Sequence, residues 1–132
     1  ACDHTLSGHG STIQSVTFTP RGGQLVSGSI DITVRVWNVG TGECSHIMFG
    51  HNTEINCVTY SPAKNQIASG GLNGSLKVWD LEAETCLWTF AGPSNAITKI
   101  VYSSQGEWIV SASNDKSVRL WDIASGNSRF PG

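Results

Sequence analysis

The chain has 132 residues, which is room for one ordinary domain. Hydrophobic residues make up 39% and charged residues only 14%, with 15 glycines, a balance that favours short strands and turns over helices. The formal net charge is −2 and the eight Lys and Arg residues are scattered, which excludes the basic surface a dedicated nucleic-acid binder needs.

In chain order, "IQSVTF" (13–18) reads as a strand, with Ile13, Ser15 and Thr17 alternating against Gln14, Val16 and Phe18. Pro20, Gly22 and Gly23 follow as a turn. "QLVSGS" (24–29), "TVRVWN" (33–38) and "CSHIMF" (44–49) are the next three strands, joined by hairpin-length turns. The pattern then starts again at "INCVTY" (55–60), and Pro62 sits in the second turn stretch. No window shows a sustained helical period, and no apolar run approaches the roughly 18 residues of a membrane span.

The recurrence has a fixed step. Trp37, Trp79 and Trp121 stand 42 residues apart, and so do Ser27, Ser69 and Ser111. Asp31, Asn73 and Asp115 keep the same interval, as do Phe18, Tyr60 and Tyr102, and Gly8, Gly50 and Gly92. A period of this size signals one supersecondary unit per repeat. The units run over about 5–46, 47–88 and 89–130 of a single segment. The first two share only 12 identities in 42 positions, which argues against a consensus-designed array.

These residues resemble those of WD-repeat β-propellers. Gly8-His9 and Gly50-His51 are similar to that family's Gly-His pair. Trp79-Asp80 and Trp121-Asp122 are similar to its Trp-Asp dipeptide, with Trp37-Asn38 a variant. The resemblance covers nearly the whole chain. It implies an all-β fold of propeller blades, four antiparallel strands each, three blades in this chain and hence half or part of a larger propeller. It also implies a hydrogen-bonded network in each blade: His9, Ser27, Asp31 and Trp37 in the first, His51, Ser69, Asn73 and Trp79 in the second. Asn73 brings no charge, so the second network should be weaker. The third has Pro93 where the His belongs and keeps Ser111, Asp115 and Trp121.

Two of these sets contain Ser, His and Asp or Asn and invite a hydrolase reading. Copies at one period are architecture rather than repeated active sites, and no Gly-x-Ser-x-Gly elbow is present, so the chain is expected to be non-catalytic. His4 and His46 are not at metal-ligand spacing with His9 and His51, and no metal or cofactor is expected. Cys2, Cys44, Cys57 and Cys86 have no zinc-knuckle spacing, and reduced thiols point to a cytoplasmic or nuclear protein. Arg35, Lys77 and Arg119 share a register and are expected on a solvated face. The N-terminal stretch shows neither a signal peptide nor an initiating Met, so a processed chain and a piece of a longer one are both open.

Three blades do not close a ring. By the family pattern residues 3–7 would form a surplus outer strand, and the third blade's outer strand begins only at 128–132. Either two copies join head to tail in a six-bladed ring, or further blades of a longer parent chain complete it. The family otherwise implies a scaffold binding a protein or peptide on its top face; the scattered charge and the lack of a long apolar run leave no nucleic-acid or membrane partner expected. The turn residues Ile30, Leu72 and Asn114 belong there, with Thr12, Glu54 and Ala96 before the inner strands, and Asn52 and Ser94 two positions earlier. Ile30 and Leu72 are aliphatic where polar turn residues are usual, which reads as a contact patch or as local packing. Trp88 and Trp108 fall outside the Trp register and read as flank packing or as a partner anchor.

Overall fold

The computed structural model describes residues 5–19, 23–91, 95–123 and 127–128. They form three four-stranded antiparallel sheets, and no helix occurs among the described residues. The first blade is β1 (Ile13–Thr19), β2 (Gln24–Ser29), β3 (Val34–Asn38) and β4 (Cys44–Met48), paired in that order. The second is β5 (Ile55–Ser61), β6 (Gln66–Gly71), β7 (Ser75–Asp80) and β8 (Thr85–Ala91). The third is β9 (Ile97–Tyr102), β10 (Trp108–Ser113), β11 (Val118–Asp122) and the short β12 (Asn127–Ser128). Each blade is therefore a meander, and β12 begins the outer strand of the third. Residues 5–7 form no strand, which departs from the surplus outer strand expected over 3–7; residues 3 and 4 lie outside the described residues.

Simple alternation fails at one point in each inner strand. The β1/β2 register slips between Ile13 and Ser15, and the β5/β6 register slips between Ile55 and Cys57. One extra residue, Gln14 or Asn56, is left unpaired there. Past the slip the faces swap, so Ile55 joins Val58 and Tyr60 in one cluster instead of opposing them.

The core lies between the blades, not within any one of them. Val26, Val34, Val36 and Met48 of the first blade pack on Ile55, Val58, Ile67 and Trp79 of the second. Ala68, Leu76, Val78 and Phe90 of the second pack on Ile97, Ile100, Ile109 and Trp121 of the third. Each sheet is thus apolar on both faces and needs a neighbour on each side. The chain supplies two such interfaces for three blades. The uncovered faces are visible in the repeat: Ile13 is 44% exposed and Phe18 65%, while their counterparts Ile55 and Tyr60 are 0% and 8% exposed.

Candidate functional site

The first blade holds a continuous relay. Trp37 Nε1 donates to Ser27 Oγ at 2.8 Å, Ser27 Oγ meets His9 Nε2 at 2.6 Å, and His9 Nδ1 meets Asp31 Oδ2 at 2.7 Å. The ionised carboxylate only accepts, so Nδ1 carries the proton towards it, and in neutral imidazole Nε2 accepts from Ser27. Asp31 also accepts from the Gly10 N–H at 2.9 Å, from the Thr33 N–H at 2.9 Å and from the Thr33 hydroxyl at 2.6 Å. Burial alone would raise the Asp31 carboxyl, but the bonds from Thr33, His9 and Gly10 outweigh it and hold the carboxyl far below its ordinary value. The relay thus ties the loop before β1 to β2, to the β2–β3 turn and to the end of β3.

The second blade keeps the inner half of the relay. Trp79 Nε1 donates to Ser69 Oγ at 2.9 Å, and Ser69 Oγ meets His51 Nε2 at 2.6 Å. Asn73 turns away from the ring: its Nδ2 donates to Asn52 Oδ1 at 3.1 Å and its Oδ1 accepts from Ser75 Oγ at 2.7 Å. Among the described residues His51 Nδ1 meets the Ser75 hydroxyl, at 3.4 Å. Burial, with Lys77 nearby, pushes the His51 imidazole down to about 4.

The third repeat has Pro93 at the His position of the sequence, and its described residues bring Arg119 to Asp115. Trp121 Nε1 donates to Ser111 Oγ at 2.9 Å, as its counterparts do. Asp115 accepts from the Ser117 hydroxyl and N–H with one oxygen, and from Arg119 Nη2 at 3.2 Å with the other. The bonds from Ser117, with Arg119 beside them, hold the Asp115 carboxyl down at about 2. Arg119 is buried, so the solvated face expected for its register is corrected here: the guanidinium folds inward onto the Asp115 carboxylate. Lys77 spans to the outer strand instead, its Nζ donating to Thr89 Oγ1 at 2.9 Å.

The Asp31–His9–Ser27 distances are those of a charge-assisted hydrolytic triad. Access decides against that chemistry, because Ser27 is 1% exposed and its oxygen already accepts from the Trp37 indole. Among the described residues no group of three or more His, Cys, Asp or Glu side chains is placed to hold a metal. Cys44, Cys57 and Cys86 are free thiols, and burial pushes the Cys57 thiol up to about 12. His46 Nδ1 meets Glu84 Oε1 at 2.8 Å and so joins the first blade's outer strand to the second blade's last turn.

The expected top-face residues meet in pairs. The Ile30 N–H donates to the Thr12 carbonyl at 3.0 Å, Leu72 to Glu54 at 2.9 Å, and Asn114 to Ala96 at 3.0 Å. The three turns therefore stand at the same end of their blades, each tied to the segment that leads into its inner strand. Leu72 is 43% exposed, Asn52 and Asn114 are exposed, and Ile30 and Glu54 are half-buried. Ala96 is buried and presents no side chain to a partner. Ser94 lies outside the described residues. Trp88 and Trp108, both outside the repeated register, line one groove of about 670 Å³ with Lys64, Gln66, Glu107 and Asp122. That groove forms where the second blade's outer strand meets the third blade, a juxtaposition that no spacing within one repeat reveals.

The repeat now has its geometry: three meanders, each with a Trp indole anchored on a buried Ser. A family model described as WD domain, G-beta repeat, matches residues 1–38, 42–80 and 84–122. The chain belongs to the WD-repeat family. Its repeats are similar to parts of much longer proteins. They are 45% identical over 42 residues to the vegetative incompatibility protein HET-E-1 of Podospora anserina, covering 32% of this chain and 3% of that protein. They are 49% identical over 41 residues to protein Mut11 of Chlamydomonas reinhardtii, covering 31% and 11%. They are 48% identical over 40 residues to the Notchless protein homolog of Arabidopsis thaliana, covering 30% and 8%. Each match is about one repeat long, and the matched part is at most 11% of these three relatives. WD-repeat domains are generally scaffolds that bind other proteins rather than catalysts.

Proposed function

We propose that this chain is a non-catalytic interaction scaffold that binds a protein or peptide on the blade end carrying Ile30, Leu72 and Asn114. The observation that carries this reading is Leu72. It is an exposed branched aliphatic at the tip of a turn whose backbone is held by Leu72 N–H to Glu54 O at 2.9 Å and Gly74 N–H to Gly71 O at 3.2 Å. An apolar side chain held rigid and exposed costs little ordering on binding, which suits an interface anchor. Asn52, Asn114, Thr12 and Glu54 would provide a polar rim. Free thiols on described strands fit a reducing, intracellular setting.

The test is charge placement. Leu72→Glu and Ile30→Glu, each with unchanged far-UV circular dichroism, should lose the partners that the wild-type chain captures. Capture of the same partners by both folded variants would end this reading. A second reading is that the chain exists to assemble, as half or part of a ring. The uncovered Ile13, Val16 and Phe18 face favours it, because that face is shaped to meet another blade.

A further inference from the structure

Each blade seats the next one through a glycine. A Cβ placed on Gly28 would lie 2.7 Å from Ile55 Cγ2 and 2.9 Å from Val58 Cγ1. One placed on Gly70 would lie 2.6 Å from Ile97 Cγ2 and 2.8 Å from Cys57 Sγ. Real side chains do not approach so closely, so both interfaces exist because these two positions have no Cβ. The residue received is in each case the isoleucine that opens the next blade's inner strand. The counterpart of Gly28 and Gly70 in the third blade is Ala112. Its pairing is the same: Ala112 lies opposite Lys99 as Gly28 lies opposite Ser15 and Gly70 opposite Cys57. The third socket is therefore already filled by a methyl group.

A second position differs in every blade, and in the second it is Cys57, whose Sγ donates to the Ile97 carbonyl at 3.9 Å. Ser15 Oγ accepts the Val58 N–H across the first interface at 3.1 Å. In the third blade that place is held by Lys99, whose ammonium has donors only. Otherwise the flank is built to be covered. Lys99, Ile100, Val101, Val110, Ala112 and Val118 line an apolar groove of about 280 Å³. Val118 is 67% exposed, where Val34 and Leu76 are 0% exposed.

We propose that the trailing flank of the third blade takes a WD blade other than this chain's own first blade, one whose inner strand opens with a residue smaller than isoleucine and which offers an oxygen acceptor to Lys99. A second copy would present Ile13 to Ala112 and the Val16 N–H to Lys99, a collision and a donor facing donors. The chain's two flanks thus discriminate against each other, and head-to-tail closure by a second copy is disfavoured. This rests on the blade interfaces and is independent of what the top face binds.

Sedimentation velocity on the full chain tests it through a size swap. The wild-type chain should self-associate weakly. Ile13→Ala, which makes the first blade a stand-in for the proposed neighbour, should tighten self-association by roughly tenfold or more and populate a species near twice 14.1 kDa. Ala112→Gly with Lys99→Ser should do the same from the other side. Combining Ile13→Ala with Ala112→Gly should forfeit part of the gain, because the socket is then empty. Ile13 is exposed, so its replacement leaves the fold intact, and Ile13→Val provides a milder variant with the same direction. Simple apolar adhesion predicts the reverse for Ile13→Ala. Weaker or unchanged association in these variants, or a wild-type chain that is already a tight dimer, would overturn the proposal.

Discussion

Truncating the three buried serines one at a time should cost unequal amounts, in an order set by how many partners each leaves behind. Ser27 Oγ holds the Trp37 indole at 2.8 Å and the His9 ring at 2.6 Å. Ser69 holds Trp79 at 2.9 Å and His51 at 2.6 Å. Ser111 holds Trp121 at 2.9 Å, and the third repeat has Pro93 in place of the His. An orphaned buried polar group costs about 1–3 kcal/mol. Ser27→Ala and Ser69→Ala, with two orphans each, should therefore cost about 3–4 kcal/mol, and Ser111→Ala about 1.5 kcal/mol. Ser27→Ala should be the worse of the first two, since it also unseats the imidazole that faces the Asp31 carboxylate. Urea unfolding followed by circular dichroism reads all three, and unchanged m-values would show that the compactness of the end states is the same. Equal costs for Ser27→Ala and Ser111→Ala, within about 0.5 kcal/mol, would refute the reading of these serines as network hubs.

Further outcomes concern backbone, packing and pH. Gly70→Ala should destabilise by about 1–3 kcal/mol through the 2.6 Å approach to Ile97, and Ile97→Ala should recover part of that loss; full additivity in denaturant melts would contradict the socket. Ile32 has φ 69°, at the turn position where Gly74 has φ 85°, and a β-branched residue is strained there. Ile32→Gly should stabilise by about 1 kcal/mol, and a lower thermal midpoint would count against the strain. His51 has a folded value of about 4 against an ordinary 6.5, so the unfolded chain binds the proton more readily. Its contribution is intact above pH 6.5 and is lost as the pH falls from there towards 4, by on the order of 3 kcal/mol. His51→Gln should flatten stability across that window. Asp31 and Asp115, both depressed below 3.8, should extend the acid loss below pH 4.

The blade plan was legible because its signals are local and repeated. The Trp, Ser and Asp or Asn registers, the two Gly-His pairs and the hairpin turns all lie within one period, and each sheet pairs consecutive strands. The inner-strand bulge was not legible. Ile13-Gln14-Ser15 reads as plain alternation, and only the packing of Ile55 beside Val58 shows that an extra residue swaps the face. Arg119 escapes the repeat pattern for a related reason: its burial against Asp115 appears only in three dimensions. Counting back from Asp31, Asn73 and Asp115 finds the turns, but the burial of Ala96 depends on its surroundings. The groove between Trp88 and Trp108, and the close approach of Ile55 to Gly28, involve residues of different blades and so leave no mark within a repeat.

Amide hydrogen exchange, strand by strand, asks whether the blades are stabilised by their neighbours rather than by their own sheets. β1 and β5 have the same length, the same pairing and the same register of apolar residues, but only β5 is covered by a preceding blade. β5 and β6 should exchange slowest, β1 roughly tenfold faster or more, and β11, beside the uncovered Val118, faster than β7. Equal protection of β1 and β5 would mean that each sheet stands alone and that the interfaces between blades do not hold this protein together.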